Sequence, residues 1–259
     1  MGYKYCIIVK YYYYLSMREN KSLEIVSPIC SVEDIKVLEN YSDGFYFGMA
    51  GFSHSSKSFE IDKREIEGLR KATSKKLYCA FNRMPYTADE ELLLKNIASV
   101  SELVDAVIIQ DAGLINSAAR LLPVHLSVGV SVISYQEAVF YKNIGASRVI
   151  VPPSVMPDEI AAISSVLDVE VFVSGNLCRA LQMGKCWWDS YERKSSAKRF
   201  GVCSKPCKHI TGLTVMGDDL EFIKAMISSG AKSLKVAGRG DIKEVAENCK
   251  RIGGIIAWN

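Results

Sequence analysis

Eight short apolar runs alternate with eight stretches of helical periodicity from residue 23 to residue 251, and this alternation constrains the fold more than any other feature. The runs are Leu23–Ser27, Phe45–Gly48, Leu77–Phe81, Ala106–Gln110, Val124–Ser127, Arg148–Val151, Glu170–Ser174 and Ser233–Ala237. They are near-continuous rather than alternating, as expected of parallel strands whose outer face is covered by helices. The helical stretches are Val32–Asn40, Lys63–Thr73, Asp89–Ser101, Leu114–Leu121, Tyr135–Asn143, Pro157–Val166, Asp218–Ser228 and Asp241–Arg251. Pro157 with Asp158 and Glu159 marks a helix start, and Gly145 and Gly230 sit just past helix ends. The pattern predicts an α/β protein, a single (β/α)8 barrel of the TIM type, with an open three-layer sheet as the alternative. The expected organisation is an extension over 1–20 and a barrel over 21–259. Residues 175–216, between strand seven and its helix, form an insertion.

That insertion carries Cys178, Cys186, Cys203 and Cys207 within thirty residues. Four thiolates are what a tetrahedral metal or an iron–sulfur cluster needs. The spacing C-x7-C-x16-C-x3-C differs from the C-x2-C pairs of zinc knuckles, and soft thiolates suit an iron–sulfur cluster as well as zinc. The chain has eight cysteines, but the sequence shows no secretory signal, and a core drawn from 49% hydrophobic residues needs no disulfide staples. Cys79 and Cys249 are expected to be small buried hydrophobes, with Cys6 and Cys30 scattered elsewhere.

The charge is unevenly placed. Residues 179–208 hold eight lysines and arginines against Asp189 and Glu192, a local charge of +6 in a chain whose total is +3. Such a patch balances an anionic cluster on a solvated surface, or attracts an anionic substrate or RNA phosphate. Trp187, Trp188 and Tyr191 follow Cys186 and would shield a cluster or stack on an aromatic ring. The tyrosine-rich start, MGYKYCIIVKYYYYLSMREN, is too short to span a bilayer and lacks a signal-peptide cleavage pattern. No other stretch reads as a transmembrane segment, so a cytoplasmic protein is expected.

In a (β/α)8 barrel the chemistry sits where the strands end. Those ends bring Asn82, Asp111, Ser127 and Arg239 towards the mouth that the cysteine segment leaves. Asp111 is a candidate substrate contact or general base, with a helix N-cap as the bland alternative. Asn82 is a candidate substrate amide contact or a turn residue. Arg239 has the fork to clamp a carboxylate. His125 lies inside an apolar strand, where a structural histidine is the commoner outcome.

The segment VEVFVSGNLCRALQMGKC, followed by GVCSKPCKH, resembles the collagenase-like peptidase U family. LEIVSPICSVEDIKVL, LYCAFN, VIIQDAGL, PVHLSVGVSV and SLKVAGR match it in consistent order over roughly residues 22–252. Members of this family include oxygen-independent ubiquinone- and RNA-hydroxylation proteins. The resemblance implies a barrel and a [4Fe-4S] cluster on Cys178, Cys186, Cys203 and Cys207, with zinc as the alternative metal. It also implies hydroxylation of an aromatic ring or nucleobase, in some members with prephenate as oxygen donor. The resemblance gives weight to His125, which joins the strand-end residues Asn82, Asp111 and Arg239 in the candidate catalytic set. The expected partners are a small aromatic substrate or RNA, and a hetero-partner of the same family.

The chain departs from the family pattern at several places. Cys178 to Cys186 is one residue longer, Gly129 stands where glutamine is frequent, and Pro153-Ser154 replaces Arg-Glu. GFSHSSKSF, which contains His54, is shortened and has no arginine. These losses thin the polar groups at the mouth and motivate a second expectation, a cluster-carrying subunit inactive alone. A third is a collagenase-like peptidase, although no nucleophile–base pair or His-Glu-x-x-His motif appears.

Overall fold

The computed structural model describes residues 23–53, 60–177, 213–215, 220–238 and 241–257. Eight parallel strands close into a barrel: β1 (Glu24–Pro28), β2 (Gly44–Met49), β3 (Lys76–Phe81), β4 (Ala106–Ile109), β5 (Val124–Leu126), β6 (Ala146–Ile150), β7 (Asp168–Leu177) and β8 (Ser233–Val236). Each pairs with its sequence neighbours, and β1 pairs with both β2 and β8, which shuts the sheet. Closure removes the edges that an open sheet would have to protect. The eight-fold alternation therefore becomes the expected barrel and not the open sheet.

The eight helices between the strands, among the described residues, are α1 (Val32–Leu38), α2 (Lys63–Ala72), α3 (Glu90–Val100), α4 (Ile115–Ala119), α5 (Tyr135–Asn143), α6 (Pro157–Ser164), α7 (Leu220–Ser228) and α8 (Ile242–Ala257). Their starts are written locally. Ser31 Oγ accepts from the Asp34 N–H, and Asp62/Glu65 and Ser134/Glu137 form reciprocal capping boxes over α2 and α5. Pro157 opens α6, where its missing N–H costs nothing.

The main core lies between the sheet and the helices. Outward residues such as Ile25, Phe45, Leu77, Val107, Val149 and Val171 pack there with Ile35, Leu69, Ile97 and Ile163 from the helices. Cys79 and Cys249 are fully buried within it, and burial pushes both thiols above their ordinary range, Cys249 to about 11. Inward residues form a second, smaller cluster that includes Val26, Tyr78, Ala80, Ile108, Ile150, Phe172 and Ala237.

The segment after strand seven differs from expectation at its edges. It was expected to begin at residue 175, yet β7 runs on to Leu177 and pairs antiparallel with a short strand, Leu213–Val215, in the register Gly175↔Val215 to Leu177↔Leu213. Backbone polar groups near a barrel rim need partners, and this ladder supplies them. Gly175 makes the exit possible. Its φ is +97°, and a Cβ there would lie 1.6 Å from the Ala237 carbonyl oxygen. The register of β7 against β8 shifts at this level, between Lys235 and Val236.

Candidate active site

Side chains alternate across a strand, so every second residue enters the barrel. At the C-terminal mouth the inward positions are taken by Asn82 after β3, Gln110 after β4, Ser127 after β5 and Ser174 in β7. Asn82 is half-buried, while Gln110, Ser127 and Ser174 are buried. Asp111 stands beside Gln110, half-buried. Its Oδ1 accepts from the Gly113 N–H at 2.7 Å and caps the short turn Ala112–Leu114 that leads into α4. The capping alternative is thus realised one turn earlier than α4 itself, and one carboxylate oxygen is engaged in it.

The loop after β5 is tightly built. Ser127 Oγ faces the Gly129 N–H at 3.5 Å, and Ser131 adopts a left-handed conformation at φ +60°, rare for a residue with a side chain. Gly129 packs against the neighbouring strand end. A Cβ at 129 would lie 2.5 Å from Gln110 Oε1, so the Gln110 carboxamide lies where a side chain at 129 would start. The glutamine missing at 129 is matched by one that enters the same region from β4. The arginine missing from the β2 loop has a similar counterpart. Arg83, buried after β3, donates from Nη1 to the Gly51 carbonyl at 3.3 Å, and its own N–H bonds Phe52 O.

Below the mouth the barrel holds an ionic network that the apolar reading of the strands did not anticipate. Arg148 Nη1 donates to Glu24 Oε2 at 2.8 Å and to Glu170 Oε2 at 3.3 Å. Glu170 also accepts from Lys235 Nζ at 2.6 Å and Ser233 Oγ at 3.1 Å. Glu24 takes Lys76 Nζ at 2.6 Å and the Tyr78 hydroxyl at 3.1 Å. Lys235 Nζ lies 3.7 Å from the centre of the Tyr46 ring, a cation–π contact. Glu24, Arg148, Glu170 and Lys235 are all buried. Buried charges survive only when paired in this way.

The electrostatics follow from that pairing. Burial alone would raise the Glu170 carboxyl, but Lys235 and Arg148 override it and hold it at about 2. Burial lowers the Lys235 ammonium against the pull of Glu170. Burial raises the Tyr78 hydroxyl well above its ordinary range. His125, the sequence candidate inside β5, packs against Tyr78 with ring centroids 4.9 Å apart and planes tilted by 52°. Burial, then the Arg148 charge, lowers its pKa to about 3, so the imidazole is neutral at physiological pH.

Of the residues expected at the site, the structure thus brings Asn82, Asp111 and Ser127 to the mouth and sets His125 one inward position below it. Arg239, Cys178, Cys186, Cys203 and Cys207 lie outside the described residues, as do residues 1–22, His54, His209, Trp187, Trp188 and Tyr191. Cys178 nevertheless directly follows the Leu177↔Leu213 pair at the end of β7. Among the described residues no three His, Cys, Asp or Glu side chains converge as a metal site. Nor is any helix there long and apolar enough to cross a membrane.

A family model described as peptidase family U32 matches residues 32–252. The chain belongs to peptidase family U32. It is 29% identical over 196 residues to tRNA hydroxylation protein P of Haemophilus influenzae, a match spanning 71% of this chain and 42% of that protein. It is 24% identical over 241 residues to a 23S rRNA 5-hydroxycytidine synthase of Escherichia coli, spanning 84% of this chain and 36% of that one. The U32 chain therefore spans less than half the length of these curated relatives. Among solved structures, the U32 peptidase Mk0906 superposes with a TM-score of 0.64 at 15% identity, covering 86% of this chain and 96% of its own. A phosphoribosylanthranilate isomerase from Thermotoga maritima superposes with a TM-score of 0.53 at 12% identity, covering 90% and 99%. At these identities the likeness is one of fold.

Proposed function

We propose that this U32 chain hydroxylates a nucleobase of RNA in the cytoplasm without molecular oxygen, using a [4Fe-4S] cluster held by Cys178, Cys186, Cys203 and Cys207. The observation that carries the reading is the ladder between β7 and Leu213–Val215, which ties the two ends of the cysteine segment together at the barrel mouth. In sequence, Cys178 is the residue that follows Leu177, the last residue of that ladder on β7. A set of four soft thiolates fits an iron–sulfur cluster, and the cluster would supply one-electron redox chemistry beside the mouth. The names of the relatives, a tRNA hydroxylation protein and an rRNA hydroxycytidine synthase, support RNA as the substrate.

The chain's own residues then have separable tasks. Replacing a ring C–H by C–OH takes two electrons from the ring, which the anionic oxygen donor must accept as it gives up its oxygen, and releases the ring proton, so a proton acceptor is needed at the mouth. Asp111 is the carboxylate there, with one oxygen left over from its capping bond. Asn82 and Gln110 offer amide groups that match the donor and acceptor edge of a base. The basic segment 179–208 draws the phosphate backbone, and Arg239 would hold an anionic oxygen donor. His125, buried, neutral and packed against Tyr78, is a positioning residue and not the proton acceptor.

The test is anaerobic purification with iron and sulfide quantitation, followed by incubation with RNA lacking the modification. Stoichiometric iron and sulfide, a broad visible absorption lost in the four Cys→Ala variants, and a nucleoside heavier by one oxygen are the expected results. Zinc in place of iron, or hydroxylation that persists in all four variants, contradicts the proposal.

A further inference from the structure

Two buried polar atoms inside the barrel have no partner among the described residues: Nδ1 of His125 and Nε of Arg148. Each residue is only 6% exposed. They stand on neighbouring strands at paired positions, and the β5–β6 register shift between Val124 and His125 produces that pairing. Val124 pairs with Ala146, so an unbroken ladder would set Ser147 opposite His125. The shift brings Arg148 there instead, facing inward, while Ser147 Oγ turns to the Val124 carbonyl at 2.9 Å. Both side chains converge on one ring. The His125 ring packs tilted against Tyr78 at 4.9 Å, and the Arg148 guanidinium carbon is 5.6 Å from the Tyr78 centre.

A buried donor and a buried ring nitrogen without partners cost free energy that a folded protein normally recovers through a ligand or an internal water. The charge balance selects between them. Glu24 and Glu170 are already matched by Arg148 and Lys235, all four buried, and Lys76 adds a half-exposed cation at the lower rim. An anion placed there would face two carboxylates, and a cation would face Arg148 and Lys235. A group that satisfies both atoms is therefore neutral, with an acceptor for the arginine N–H and room to bond the imidazole nitrogen.

We propose that a single water molecule is bound inside the barrel between Arg148 and His125, accepting from Arg148 Nε–H and donating to His125 Nδ1. This bond fixes His125 as the Nε2–H tautomer. The imidazole is neutral, so one of its two nitrogens is free to accept such a bond. His125 then acts as a positioning residue, a neutral donor held from below by Arg148 and from the side by Tyr78. The charged groups facing it are Arg148, Glu170, Lys235 and Lys76. The water, not a protein group, links the ionic network to the layer beneath the mouth.

The test uses the intact wild-type chain. Long-range nitrogen–carbon correlation spectra of the labelled protein report the His125 tautomer, and a crystal structure reports the water. The neutral Nε2–H form at pH 7, with a density peak about 2.7–3.2 Å from both atoms, is expected. Water relaxation dispersion should also count one fewer long-lived internal water in a folded His125→Phe variant. An Nδ1–H tautomer, an imidazolium, or a side chain from residues 178–212 in place of the water would overturn the proposal. So would an unchanged count in the variant.

Discussion

Lys235 Nζ and Glu170 Oε1 meet at 2.6 Å inside the barrel, with side chains only 5% and 1% exposed. A pair this deep offers little stability over an apolar pair of the same volume, yet breaking it leaves a charge without its partner. Lys235→Met should destabilise the chain by about 3–5 kcal/mol, and Lys235→Met combined with Glu170→Leu should cost less than the single change. Urea unfolding of the wild type, the single variant and the double variant checks both. A double variant weaker than the single one would mean that Glu170 is held mainly by Arg148 and Ser233.

The same network predicts an acid limb of stability with two steps. Folded His125 titrates at about 3 against an ordinary 6.5, so below pH 6.5 the unfolded chain binds a proton that the folded chain refuses. Stability then falls with pH at up to about 1.4 kcal/mol per unit. Glu170 adds a second such slope from its ordinary 4.5 down to about 2, because its folded carboxyl stays ionised there. Denaturant midpoints measured between pH 7 and pH 5 should be flatter in His125→Phe than in the wild type. Equal slopes would show that His125 is protonated in the folded chain.

Gly175 is predicted to be irreplaceable. Its positive φ alone would strain an alanine by about 1–3 kcal/mol, and the Ala237 carbonyl occupies the position of the new Cβ. Gly175→Ala should therefore separate β7 from β8 at the mouth. The loss should exceed the strain term in thermal unfolding, with faster amide exchange at Ala237, whose N–H bonds Ser174 O at 2.7 Å.

Gly129 and Gln110 should behave as one unit. Gly129→Ala meets the Gln110 carboxamide at 2.5 Å and should cost about 1–3 kcal/mol by overpacking. In a Gln110→Ala background the same change should cost almost nothing, a coupling that a double-mutant cycle reads directly. Additive effects would mean that the carboxamide swings away freely.

The barrel was legible because its helices and strands are written in local patterns: capping boxes at Asp62 and Ser134, a proline at 157, and apolar runs of strand length. The ionic interior was not. Glu24, Arg148, Glu170 and Lys235 interrupt those runs at inward positions, and an average over each run hides them. Counting every second residue would have exposed them, since Glu170 and Phe172, or Ser233 and Lys235, face the same side. The pairing of His125 with Arg148 was beyond any such count, because a one-residue register shift decides it. The mouth was legible in outline through Asn82, Asp111 and Ser127. The place of Gln110 depends on a contact with Gly129 that no spacing rule contains.

The most direct measurement of the central claim is nucleoside mass spectrometry on RNA from cells that lack this chain. The same cells would be complemented with the wild type or with Cys178→Ala, and grown without oxygen. The account predicts that one hydroxylated nucleoside disappears without the chain, returns with the wild type and stays absent with Cys178→Ala. An RNA nucleoside profile identical in all three would contradict it.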